Sequence, residues 1–162
     1  MSQNHKDLRK TLGCFATGVT IITALGPKKE LIGITANSFS AVSLDPPLIL
    51  FSLQKKALSL VAFLSTHHFA VHVLREDQHS LSDRFARAQS EKWAGVDYLV
   101  DDRGYPVLRD ALAVFACRTH HTYNGGDHII FVGEVLDTIA DTSGKPLVFY
   151  QGRYCKLLDS AI

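Results

Sequence analysis

The chain has 162 residues, 46% of them hydrophobic, enough to bury roughly 70% of the unfolded surface in one domain spanning 1–162. Seventeen Lys and Arg against sixteen Asp and Glu leave a formal charge of +1, which excludes the global field that a nucleic acid or an anionic membrane would need. The polar start "MSQNHKDLRK" has no signal-peptide core and no apolar run nears the ~18 residues of a membrane span, so a soluble, cytoplasmic protein is expected.

In chain order, Leu8, Leu12 and Phe15 recur at helical spacing behind a capping Asn4, predicting an amphipathic helix that ends near Gly18. The β-branched runs "VTIITAL" and "LIGITA", separated by "GPKKE", predict a hairpin. Pro46 and Pro47 then start the strand "LILFSL" where a missing N–H is tolerated. "ALSLVAFLS" predicts a short helix, "FAVHVL" a strand, and "DQHSLSDRFARA" a second helix capped by Asp77 or Ser80. A long loop through "GVDYLVDDRGYPVL" leads to "ALAVFACRTHHTY", the turn "NGGD", the strand "HIIFVGEVLDTIA" and a last segment "PLVFYQGRYCKLL". Strands outnumber helices and hairpin signals recur, so the expected fold is a mainly β, antiparallel Greek-key barrel with a few short flanking helices.

Spacing removes several familiar chemistries. "GCFATGVT" imitates a phosphate loop, but Val19 stands where the lysine belongs, and the predicted order is helix then strand. No GxGxxG occurs, so a dinucleotide would not bind in the Rossmann manner. His68 and His72 share a strand face but lie ~13 Å apart, too far to share a metal, and His120 and His121 point to opposite faces as solvated strand residues. No metal site is expected. Cys14, Cys117 and Cys155 read as reduced core thiols. No G-x-S-x-G elbow surrounds Ser38, Ser40 or Ser52, so these serines suit ligand donation or turn chemistry better than nucleophilic attack.

"TANSFSAVSLDPPLILFSL", Ser59, "DRFA", "GGDHIIFVGEV" and "FYQGRY", in that order, resemble the flavin reductase family with the FMN-binding split-barrel fold, which includes the small reductase components of two-component flavin monooxygenases. The resemblance runs from about Leu8 to Leu157; its most specific parts are the Thr35–Pro47 block and the Gly126–Val135 block.

The resemblance implies that Thr35, Ala36, Asn37, Ser38, Phe39 and Ser40 line FMN or FAD, with Ser52, Leu53 and Gln54 continuing that wall. Ser59 would help bind the flavin phosphate at a helix N-terminus, Arg84 would supply the fixed positive charge, and Phe85 would pack beside the ring. Fixed N–H donors suit a reduced flavin, whose N1–C2=O2 edge carries negative charge. His128, just after a glycine turn, would sit beside flavin and nicotinamide and position the nicotinamide or hydrogen-bond the flavin, its other reading being a solvent-facing hairpin histidine. Tyr150, Arg153 and Tyr154 would contact NADH or NADPH or close the last strand.

The implied reaction is hydride transfer from the nicotinamide C4 to the flavin N5, with the protein acting by placement. A homodimer and a separate oxygenase that receives the reduced flavin are also implied. Two other readings stay open: a flavin-binding electron carrier without nicotinamide turnover, and a split-barrel oxidase acting on a pyridoxine phosphate or another small ligand.

Overall fold

The computed structural model describes residues 4–88 and 91–158. Its elements are α1 (His5–Leu12), β1 (Thr17–Gly18), β2 (Thr20–Leu25), β3 (Leu31–Ala36), β4 (Ser40–Leu44), β5 (Pro47–Gln54), α2 (Leu60–Ser65), β6 (His68–Val73), α3 (His79–Ala86), β7 (Tyr98–Val100), β8 (Pro106–Leu108), β9 (Ala113–Gly125), β10 (His128–Ala140), β11 (Val148–Tyr150) and β12 (Arg153–Cys155). Seven strands form an antiparallel sheet in the order β3-β2-β6-β9-β10-β5-β4, and β1-β11-β12 and β7-β8 make two small sheets beside it.

Chain connectivity forces the large sheet to curl. Laid flat, seven strands at ~4.8 Å spacing would put β3 and β4 ~29 Å apart. Yet only Asn37, Ser38 and Phe39 join these two edges, and four Cα–Cα steps reach at most roughly 15 Å. The sheet therefore closes into a split barrel. The closure is stapled by Ser38, whose Oγ accepts from the Ser52 N–H at 2.9 Å and donates to the Ser52 carbonyl at 3.2 Å.

Inside the barrel, Phe51 of β5, Phe131 of the neighbouring β10, Phe69 of β6 and Phe63 of α2 make one aromatic core. Phe51 and Phe131 stack at 4.9 Å and 3°, and Phe63 and Phe69 meet Phe51 edge-on. A second cluster, Val19, Ile21, Leu74, Phe85, Leu108 and Leu147, lies on the outer face under α3 and β8. Burial on both faces is why β2 reads as a continuous apolar run instead of alternating.

The predicted hairpins form: β2 pairs with β3 across "GPKKE", and β9 pairs with β10 across Gly126, whose φ of +71° suits a residue without Cβ. Asn4 caps α1 through its Oδ1, which accepts from the Lys6 N–H at 3.1 Å, but α1 stops at Leu12 and buries none of its residues. Gln78 is the N-cap of α3, where Asp77 or Ser80 was expected. The expected long loop carries the β7–β8 hairpin, because Tyr105 buries its side chain and Pro106 and Leu108 pack inward.

Among the cysteines, Cys117 is buried, and burial pushes its thiol up to about 12. Cys155 is half-buried and Cys14 is exposed, because α1 presents no buried face. His72 is fully buried: its Nδ1–H donates to the Ile21 carbonyl at 3.0 Å, and its Nε2 accepts from the Leu108 N–H at 3.1 Å. No helix among the described residues is long and apolar enough to cross a membrane.

Candidate functional site

The closure seam opens onto a cleft of about 1120 Å³. One wall is β3 and its continuation, Leu31 to Ser38; the facing wall is Ser52, Leu53 and Gln54 of β5, with Gly125, His128 and Ile130 from the β9–β10 hairpin. Lys56 to Ser59 and the C-terminal end of α3 with Lys92 and Trp93 complete the lining. Among the described residues, Lys56, Arg87 and Lys92 contribute three cations, and no Asp or Glu lines the cleft. On a chain of net charge +1 this is a local positive field, suited to an anionic ligand.

Several expected residues meet here. Thr35, Ala36, Asn37, Ser38, Ser52, Leu53, Gln54, Ser59, Phe85 and His128 all line the cleft. The Thr35 hydroxyl donates to the Ser82 carbonyl at 2.6 Å, which fixes α3 against β3. Phe85 is buried and its ring lies against Gly33, where a Cβ would collide with it. Ser59 caps α2 without a side-chain capping bond, but α2 has six residues, so the dipole expected to aid Ser59 is that of a short helix.

His128 faces Gln54 across the β5–β10 ladder and is about one-third exposed. Its Nδ1 is bonded to Asp127 Oδ1 at 2.7 Å, and that bond holds the Asp127 carboxyl below its ordinary range. With Nδ1 engaged, Nε2 is the ring nitrogen left for a ligand. The Lys55 N–H donates to the Asp127 carbonyl at 2.9 Å, so the hairpin turn and the end of β5 are fixed to each other.

Six expected residues lie outside the cleft lining. Phe39 packs on the barrel core with its ring 5.4 Å from Phe115, and Ser40 is exposed on β4. Tyr150 and Arg153 lie on the small β11–β12 pair. Tyr154 reaches α3, where its hydroxyl meets Ser82 Oγ at 2.8 Å and donates to Asp83 Oδ1 at 2.9 Å.

Arg84 borders a smaller cavity with Asp77, Asp97 and Arg109, and its guanidinium donates to the Ala94 carbonyl at 2.7 Å. The reason is rotational: burial of Ser82 and Phe85 sets the roll of α3, which turns Arg84 away from the cleft. Arg87, the C-cap of α3, lines the cleft. The sequence reading missed Arg87, Lys56, Lys92 and Trp93. Three of them follow the quoted motifs by only a few residues, but a cation in a loop carries no periodic signal of direction.

A family described as flavin reductase like domain matches residues 12–158. "FMN reductase (NADH) SmoA" of Agrobacterium fabrum (strain C58 / ATCC 33970) is 45% identical over 94% of this chain and 86% of its own length. "Flavin-dependent monooxygenase, reductase subunit HsaB" of Mycobacterium tuberculosis (strain ATCC 25618 / H37Rv) is 36% identical over 92% of this chain and 80% of its own. The solved Streptomyces globisporus C-1027 NADH:FAD oxidoreductase SgcE6, in complex with NAD and FAD fragments, superposes with a TM-score of 0.93 at 35% identity, covering 98% of this chain and 96% of that one. Some relatives are longer: this chain spans 47% of one curated relative and 54% of one solved neighbour.

Proposed function

The chain belongs to the flavin reductase like domain family, and from that premise we propose that it is an NAD(P)H-dependent flavin reductase whose cleft holds FMN or FAD. The observation that carries the reading is the cleft lining: three cations and, among the described residues, no carboxylate, beside neutral polar side chains from Asn37, Ser52 and Gln54, with His128 on the hairpin. Cations suit the phosphate of a flavin nucleotide, and neutral amides and hydroxyls suit its polar ring edge. A flavin held here would supply the redox chemistry as the hydride acceptor. The chain binds, orients and shields, and near-attack placement of two rings can by itself contribute much of the acceleration.

The test is steady-state oxidation of NADH and of NADPH with FMN or FAD added. Turnover with one donor and one flavin is expected. A protein that binds flavin but oxidises neither nicotinamide would be an electron carrier and would sink the reductase reading.

Within this reading Arg87 supplies the fixed charge near the flavin phosphate. Arg87→Ala should weaken FMN binding by about 1.5 to 3 kcal/mol, the range for a charge-assisted hydrogen bond, and leave riboflavin little changed. Arg84→Ala should have the smaller effect, since its guanidinium is bonded at Ala94. Isothermal titration of both variants decides it, and a larger loss in Arg84→Ala would return the role to Arg84.

The reading extends to partners. Leu44 on edge strand β4, and Leu58 and Val61 at α2, are 94%, 87% and 73% exposed, and Leu58 also lines the cleft. Such apolar surface beside the ligand supports a homodimer in which a second copy covers the cleft mouth. Sedimentation should give twice 17.9 kDa at micromolar concentration; a species of 17.9 kDa would refute the dimer. A separate oxygenase that takes the reduced flavin fits the relatives named as reductase subunits, and the free thiols of Cys14, Cys117 and Cys155 suit a cytoplasmic, reducing setting.

A further inference from the structure

Strand β3 is an edge of the barrel sheet, so its outward carbonyls have no strand to bond them. Two consecutive side chains from the segment after α3 take that place. Trp93 Nε1–H donates to the Leu31 carbonyl at 3.0 Å, and Lys92 Nζ donates to the Gly33 carbonyl at 3.3 Å. Lys92 also donates to the Phe85 carbonyl at 3.1 Å, which becomes reachable because Gly33 leaves room for the Phe85 ring. Trp93 is held edge-on between Phe85 at 4.9 Å and Tyr98 at 5.1 Å, so the lysine is anchored by a packed neighbour.

These bonds leave Lys92 electrostatically incomplete. An ammonium carries three N–H donors, and two are engaged by carbonyls. The side chain is half-buried, and desolvation lowers its pKa. Among the described residues no carboxylate stands within ion-pair distance of it, and none lines the cleft. A strut between two carbonyls needs only a neutral donor, such as the indole beside it. Partly burying a charge without a counter-charge costs stability, so the charge itself calls for a role.

We infer that Lys92 is an anion-holding residue of the cleft, which donates its third N–H to a phosphate oxygen of the bound nucleotide. The inference rests on the flavin reductase reading and adds to it the place of one phosphate. Gly33 lies three residues from the end of β3 at Ala36, roughly 10 Å along the strand, so this phosphate is set back from any ring held at the Ser38–Ser52 seam. The group is the phosphate of a flavin mononucleotide, the second phosphate of a flavin dinucleotide, or the diphosphate of the nicotinamide donor; all three share one chemistry.

The experiment compares Lys92→Met, which keeps the apolar stem, with wild type in titrations of riboflavin, FMN and FAD and in the KM for NADH. A rise of about tenfold or more in the affected dissociation constant, with riboflavin unchanged, is the expected result. Equal weakening of FMN and FAD assigns the flavin's first phosphate, weakening of FAD alone assigns its second, and a raised KM for NADH with unchanged flavin affinities assigns the nicotinamide donor. Lys92→Arg should recover most of the loss. If Lys92→Met fails to fold, Lys92→Gln, neutral but able to donate to both carbonyls, allows the same comparison. Riboflavin weakened as much as FMN would make Lys92 a strut and overturn the inference, as would no change in any ligand. Wild-type protein that binds no flavin would instead overturn the reading beneath it.

Discussion

Replacing His128 by Ala is expected to slow anaerobic reduction of bound flavin by NADH about 100-fold, the scale of a misplacement near reacting atoms, with little change in flavin affinity. The ring is fixed from one side by Asp127 at 2.7 Å and from the backbone by its pairing with Gln54, so it is a rigid point at the cleft wall. In the proposed site the flavin would be held by the neutral polar wall and the cations, which the substitution leaves in place. Binding and turnover should therefore come apart. Stopped-flow bleaching of the flavin absorbance measures reduction, and equilibrium titration of the same variant measures affinity. Equal reduction rates in variant and wild type would leave His128 as a hairpin residue without a part in the reaction.

A comparably large effect is expected on stability in acid. His72 is fully buried, and burial lowers its pKa from 6.5 to about 4 against the opposing bond to the Ile21 carbonyl. The geometry gives the reason: Nδ1–H already donates to Ile21, and Nε2 accepts from Leu108, so a second ring proton would face the Leu108 N–H. The folded-state pKa lies below the unfolded value, so the unfolded chain takes up the proton first. The contribution is complete above about 6.5 and is lost as pH falls through about 4.

The 2.5-unit difference corresponds to on the order of 3 kcal/mol. Urea unfolding at pH 7 and pH 4 should show that much acid destabilisation in excess of His72→Gln, which is less stable at pH 7 but has no imidazole to charge. Identical pH dependence in the two proteins would remove His72 as the source.

The elements with local signals are legible in the sequence. Runs of β-branched residues and the Gly125–Gly126 turn mark β2, β3, β9 and β10, because strand period and turn chemistry depend on neighbours a few residues apart. The block from Thr35 to Gln54 is legible through its resemblance to a family, and ten of the residues carried over in that way line one cleft. The short β7–β8 hairpin is not legible, since its pairing depends on Tyr105 finding a buried site against distant strands.

The part played by Ser38 between β3 and β5 is set by tertiary structure. Three residues must bridge the two edges of a seven-stranded sheet, and Ser38 stitches the resulting seam to Ser52 with both its donor and its acceptor. Direction is the other thing that tertiary packing decides. A sequence shows that Arg84 and Arg87 are cations near the end of a helix, but the roll of α3, set by Phe85 against Gly33 and by Thr35 on the Ser82 carbonyl, determines which of them faces the cleft. Likewise the alternation of β6 shows only that His72 and Ala70 share a face. Only the cover laid over that face by β8, from residues more than thirty positions away, turns a polar side chain into a buried one.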